Sequence, residues 1–188
     1  MIYLASQSPR RKQILELTGL EFTVKPTNTD ESGAKGMTPK NTVEYLSKIK
    51  AEALFCDIAE NDVIIGSDTV VAIDGEILGK PKNEADAKVM LKKLSGRTHH
   101  VFTGVTLIKK TADGRIEKTF SCVTEVEFFS LSDNEINAYV KTGEPLDKAG
   151  AYGIQEKGAL FVKGINGDFF NVVGLPVSAL WHELKSLC

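Results

Sequence analysis

Two hydroxyls and two guanidiniums fall within six residues in Ser6-Gln7-Ser8-Pro9-Arg10-Arg11. Ile2 to Ala5, just before them, read as a short buried strand. Ser8-Pro9 reads as a helix start, where the serine oxygen caps free amides and proline sits where its missing N–H costs nothing. The free amides and the dipole at such a terminus favour an anion, and guanidinium forks match pairs of phosphate oxygens. Arginines gain nothing from the dipole there, so their placement points to an anionic ligand; a plain N-cap followed by solvated arginines is the competing reading.

A second group is Gly66-Ser67-Asp68-Thr69, where a carboxylate interrupts an apolar strand between Ile65 and Val70. A carboxylate in such a place needs a cation, a metal ion or a raised pKa, so both an active-site acid and a structural partner of a nearby lysine fit. The third, Gly75-Glu76-Ile77-Leu78-Gly79-Lys80-Pro81, has three residues rather than four between its glycines and Pro81 in place of the Ser/Thr of a phosphate-binding P-loop. It is not a P-loop, although Lys80 can reach a phosphate as a point charge. The fourth is the loop Glu144 to Gln155, which mixes carboxylates, an ammonium and glycines; the amide of Gln155 offers a donor and an acceptor that suit a nucleobase edge, with a structural Ω-loop as the competing reading. His99-His100 has no third ligand at metal spacing, and alternation along a strand explains it.

The elements that must hold these groups follow from periodicity and punctuation. Helices are expected at about 9–18, at about 39–57 carrying Lys48 and Lys50, after the Asn83 cap, after the Ser132/Glu135 capping box, and from Pro176 onward. Ala87, Met90, Leu91 and Leu94 recur on one helical face. Strands are expected at 2–5, 21–25, over 62–73 as one piece or two, at 76–78, and at about 98–109 and 115–129 around Asp113-Gly114. Between Gly143 and Gly174 glycines are dense, which signals tight turns or close backbone approach. Helices interleaved with strands and hairpins make the fold α/β, with a mixed sheet and flanking helices. No linker-like stretch divides residues 1–188, so one domain is expected.

The chain has 188 residues, with 23 Lys+Arg against 25 Asp+Glu. That balance disfavours a general electrostatic grip on nucleic acid, which requires a basic excess. Cys56, Cys122 and Cys188 are far apart with no ligand spacing and are expected to be reduced and free of metal. Met1 to Ala5 lacks a preceding basic region, and every apolar run is broken by a charge before the ~18 residues of a membrane span. A cytoplasmic protein without a membrane segment is expected.

Taken in order along nearly the whole chain, Ala5 to Arg11, Gly66-Ser67-Asp68-Thr69, Gly79-Lys80-Pro81, Leu94-Ser95-Gly96, Glu144 to Gln155 and Val173-Gly174-Leu175-Pro176 resemble the Maf family of nucleotide pyrophosphatases, first described as septum-formation inhibitors. The resemblance implies an elongated, two-lobed fold similar to inosine-triphosphate pyrophosphatases, with a central cleft. It also implies hydrolysis of a nucleoside triphosphate to the monophosphate and pyrophosphate with a divalent cation, Mg²⁺ or Mn²⁺. Asp68 matches the proton acceptor, and Ser6, Ser8, Arg10, Arg11, Lys50 and Lys80 fall on the phosphate site. Glu31, Asp68 and Asp147 fall on the metal site, with Asp30 as the alternative to Glu31. Arg10, Thr69 and Gln155 match positions tied to substrate choice, and Thr after the acid with Gln in the late loop resembles the branch acting on dTTP and UTP. Pyrophosphatases of modified purines such as 7-methyl-GTP and a non-enzymatic nucleotide-binding regulator of septum formation are the competing readings. A homodimer stays open as an assembly.

Overall fold

β3 (Val63–Ile73) is the axis of the molecule, a continuous strand of eleven residues. In the computed structural model, which describes residues 1–187, one seven-stranded sheet forms around it in the order β2-β1-β3-β5-β6-β7, with β4 also paired to β3. β1 (Ile2–Ala5) runs parallel to β3 over Val63–Gly66 and to β2 (Phe22–Val24) on its other side. β4 (Glu76–Leu78) pairs antiparallel with Val71–Ile73 through a turn in which Asp74 and Gly75 both have positive φ, 53° and 78°. Positive φ at both positions suits a two-residue hairpin turn. Between β1 and β4, residues 67–70 pair only with β5, so this edge of the sheet is open for four residues.

β5 (Thr98–Thr111) and β6 (Gly114–Phe128) form the long antiparallel hairpin, and β7 (Val162–Asn166) joins its end. Helices cover the sheet: α1 (Pro9–Glu16), α2 (Pro39–Glu52), α3 (Glu84–Leu94), α4 (Asp133–Val140), α5 (Phe169–Val173) and α6 (Val177–Leu187). The expected caps are present: Ser8 and Asn83 each accept a first-turn amide, and Ser132 with Glu135 forms the reciprocal box; Thr38 caps α2 in the same way.

Apolar burial divides along the sheet. One core gathers β1, α1, the first half of β3 and α6 around Leu4, Leu15, Ile65 and Leu180. Another gathers the second half of β3, α3, α4 and the late loop around Val71, Leu91, Phe128 and Ile136, and Ile154 packs against both. Each fully buried Leu or Ile contributes roughly 1.5–3 kcal/mol, so both cores are substantial. A third group, with Ala51, Leu54 and Ile64, lies under α2.

Several expectations needed adjustment. The second helix stops at Glu52 instead of running to about 57; Leu54 N–H returns to the Ala51 carbonyl three residues back, and a 3-10 turn covers Phe55–Asp57. Met90 is half-buried while Ala87, Leu91 and Leu94 are fully enclosed. The glycine-dense stretch holds β7, α5 and three 3-10 turns, elements too short to show a period. His99 is buried and His100 open to solvent, as strand alternation requires. Cys56 and Cys122 are free thiols, and Cys188 lies outside the described residues. Among the described residues no helix is long and apolar enough to cross a membrane.

Candidate active site

The open edge of β3 faces a cleft of about 730 Å³. Two glycines set what reaches it. A Cβ on Gly66 would lie 2.2 Å from the Ser47 carbonyl oxygen, and one on Gly104 would lie 2.2 Å from the Val43 carbonyl oxygen. Gly104 is the β5 partner of Asp68. With both side chains absent, α2 lies directly on the sheet, and Lys50, one turn beyond Ser47, reaches the β3 edge. Its ammonium donates to Asp68 Oδ1 at 2.5 Å and pairs with Glu31 Oε1 at 2.9 Å. Asp30 instead accepts its own loop amide, Ser32 N–H, at 2.9 Å, so of the two acids Glu31 is the one turned to the cleft.

The helix start after β1 forms the next wall. Ser6, 5% exposed, accepts Ser8 N–H at 3.2 Å, and Ser8 accepts Arg11 N–H at 3.4 Å, so Ser8 caps α1 while Ser6 holds the amide of the cap residue. Arg11 is tied inward: Nε donates to the Gly174 carbonyl at 2.8 Å, Nη2 to Thr69 Oγ1 at 3.0 Å and Nη1 to Ser6 Oγ at 3.3 Å. Burial lowers the Arg11 pKa; nearby Asp68 opposes this and Arg10 adds to it. Arg10 reaches across the cleft to Asp147 Oδ2 at 3.3 Å. Burial would raise the Asp147 carboxyl, but the hydrogen bond and charge of Lys148, with Arg10, hold it below the usual range. Lys80 and Gln155 stand exposed along the lining.

The structure therefore brings Asp68, Glu31 and Lys50 into one cluster, and Ser6, Ser8, Arg11 and Thr69 into a second beside it. Asp147, on the lining of the same cleft, pairs instead with Arg10 and Lys148. Among the described residues no three His, Cys, Asp or Glu side chains gather as a ready-made metal site.

Some features of the site lay outside the sequence reading. The loop ammonium, Lys148, is buried at 6% exposure and donates to the Glu144 carbonyl and to Asp147 Oδ1, at 2.8 and 2.9 Å. Behind Thr69, Thr103 Oγ1 lies 2.9 Å away and donates to the Asn171 carbonyl, and the Asn171 amide donates to Val101 O and Thr124 Oγ1. Asn171 interrupts the run Phe169–Val173 as Asp68 interrupts β3, which is the signal that marks it. Thr103 sits on the same inward face of β5 as Val101 and Val105, a weaker mark.

The family described as "Maf-like protein" matches residues 1–187. The chain belongs to the Maf family. It is 50% identical over 184 residues to a protein of Carboxydothermus hydrogenoformans named dTTP/UTP pyrophosphatase, covering 98% of this chain and 97% of that one. A Bacillus pumilus protein of the same name is 48% identical over 185 residues, covering 98% and 95%. Among solved structures, the Staphylococcus aureus Ham1 protein aligns with a TM-score of 0.48 at 18% identity, over 68% of this chain and 71% of that one.

Proposed function

We propose that this Maf-family protein hydrolyses dTTP and UTP to the nucleoside monophosphate and pyrophosphate. The observation that carries the reading is the convergence of Asp68, Glu31 and Lys50 on the open edge of β3, in a cleft that also holds Arg10, Lys80 and the Gln155 amide. The names of the relatives supply the base preference.

Glu31 and Asp68 suit a Mg²⁺ or Mn²⁺ ion, since such ions take one or two carboxylates and fill their remaining positions with phosphate oxygens and water. When bound, the ion would neutralise triphosphate charge and acidify a coordinated water. The protein's own groups carry the rest of the reaction. Asp68 accepts a proton as the water oxygen bonds to the α-phosphorus. The bond from that phosphorus to the bridging oxygen breaks, and the electron pair leaves with pyrophosphate. Lys50 orients the Asp68 carboxylate and, with Arg10, Arg11 and Lys80, stabilises charge on the departing group, an effect worth about 3–4 kcal/mol for one well-placed donor. Gln155 hydrogen-bonds the O4/N3 edge of uracil or thymine, with Thr69 beneath. Its substrates belong to the cytoplasmic nucleotide pool, where we expect it to work.

The test is a panel of dTTP, UTP, GTP and 7-methyl-GTP incubated with Mg²⁺, Mn²⁺ or chelator, following pyrophosphate and monophosphate. Metal-dependent release from dTTP and UTP, lost in Asp68→Asn, is expected. Release from 7-methyl-GTP alone overturns the base assignment, and no release from any of the four overturns the enzyme reading. A Gln155→Ala protein with an unchanged UTP-to-GTP ratio removes Gln155 from the pocket.

A further inference from the structure

The segment carrying Gln155 has no regular structure at its tip, yet both of its feet are clamped by one pair of side chains. Tyr139, on α4, accepts the Gly153 N–H at 3.2 Å and donates its hydroxyl to Glu144 Oε1 at 2.8 Å. The same Glu144 oxygen accepts Gly158 N–H at 3.2 Å, and Oε2 accepts Lys157 N–H at 3.2 Å. The feet touch each other: a Cβ on Gly158 would lie 2.6 Å from the Gly153 carbonyl oxygen and 2.8 Å from the Tyr139 hydroxyl. Residues 154–156, between them, line the cleft.

We infer that Tyr139 and Glu144 are positioning residues for nucleobase selection, a brace that closes residues 153–158 into a loop and fixes where the Gln155 amide meets the base. This rests on the reading of Gln155 given under Proposed function. Neither side chain needs to touch the nucleotide. The phenol is suited to the part because burial, and then its bond to Glu144, raise its pKa and keep it protonated. A single hydroxyl can therefore donate to the carboxylate while accepting the Gly153 amide. The ring is anchored independently by an edge-on contact with Phe161, centroids 4.9 Å apart, and Lys148 holds Glu144 from behind by donating to its carbonyl. Removing the hydroxyl alone leaves that packing in place and strands one loop amide.

The experiment measures kcat and KM for UTP and GTP in the wild type, Tyr139→Phe, Gln155→Ala and the double variant, with melting curves to confirm folding. Tyr139→Phe is expected to lower the UTP-to-GTP ratio of kcat/KM about tenfold, the loss that goes with one stranded buried donor. The change should fall on the KM for UTP, with kcat within about twofold. The double variant should match Gln155→Ala alone, because the brace acts only through that amide. Glu144→Gln, which keeps size but sets an NH₂ group against Lys157 N–H, should shift the ratio the same way and provides the test if Tyr139→Phe does not fold. Equal losses for both nucleotides, or a double variant with additive losses, overturn the inference. If Gln155→Ala moves the ratio and neither brace variant does, the inference alone fails; if Gln155→Ala leaves it unchanged, the pocket assignment fails and the brace falls with it.

Discussion

On the proposed reading the phosphate end of the cleft is the one whose polar groups stand on regular elements: Asp68 and Thr69 on β3, Lys50 on α2, and Arg10 and Arg11 in the first turn of α1. At the base end Gln155 stands on a loop between 3-10 turns, held by Glu144, Tyr139 and Lys148. The first end is positioned by backbone pairing and by two glycines that admit a helix. The second is positioned by side chains gripping backbone amides. On that reading, charge placement at the reacting bond depends on packing that cannot be altered piecemeal, while the end assigned to the base can be retuned through a few polar contacts.

The largest effect that can break this contrast is at the reacting bond. Asp68→Asn is expected to reduce turnover by about 10²–10⁴-fold, the range for loss of a positioned base, with nucleotide binding largely retained. Measured pyrophosphate release in the variant within a few-fold of wild type would remove Asp68 from its role.

The next effect separates the two cores by pH. His99 lies in the base-end half of the sheet, fully enclosed, with Nε2 2.8 Å from the Tyr152 hydroxyl and Nδ1 without a hydrogen-bond partner. Burial, with the neighbouring His100, lowers its pKa to about 4. The folded state keeps the ring neutral while the unfolded chain takes up a proton near the ordinary value of about 6.5, so stability is lost as pH falls from there towards 4. Urea unfolding at pH 7 and pH 4.5 should differ by about 2 kcal/mol from this group, and His99→Asn should flatten the difference.

Gly66→Ala sharpens the comparison from the packing side. The added methyl meets the Ser47 carbonyl oxygen, so α2 must lift; about 1–3 kcal/mol of stability should be lost, and turnover should fall as Lys50 moves away from Asp68. The UTP-to-GTP ratio should hold, because α2 does not support the late loop. The smallest effect is expected for Lys148→Met, which keeps the stem but not the ammonium: about 1 kcal/mol in unfolding free energy, with a shifted nucleotide ratio and little change in maximal turnover. A loss of turnover there matching that of Gly66→Ala would erase the distinction between the ends.

The groups gathered at the β3 edge were legible in the sequence because they stand on regular elements whose local rules they break. A carboxylate breaking an apolar strand, and arginines at a helix start, violate local propensity, and such violations survive in a linear reading. Hairpins and caps were legible because Asp113-Gly114, Asn83 and Ser132 act on their immediate neighbours. β7 and α5 were not, since five residues hold barely one helical turn or two strand repeats. Lys148 was visible as a charge, but its burial depends on Gly153, whose missing Cβ would lie 2.6 Å from the lysine stem, a relation that no spacing rule encodes.

The opening on β3 has a colloidal consequence as well. Unpaired strand edges invite other chains to add on, and folds blunt them with charges, bulges or covering segments. Here β1 and β4 occupy the same edge on either side of residues 67–70, leaving a window of about 13 Å at 3.3 Å per residue. A window of that length suits a short chain of phosphates, whereas an intruding strand of the usual five or six residues would collide with β1 or β4. The same interruption that opens β3 to the cleft guards this edge against sheet-to-sheet association.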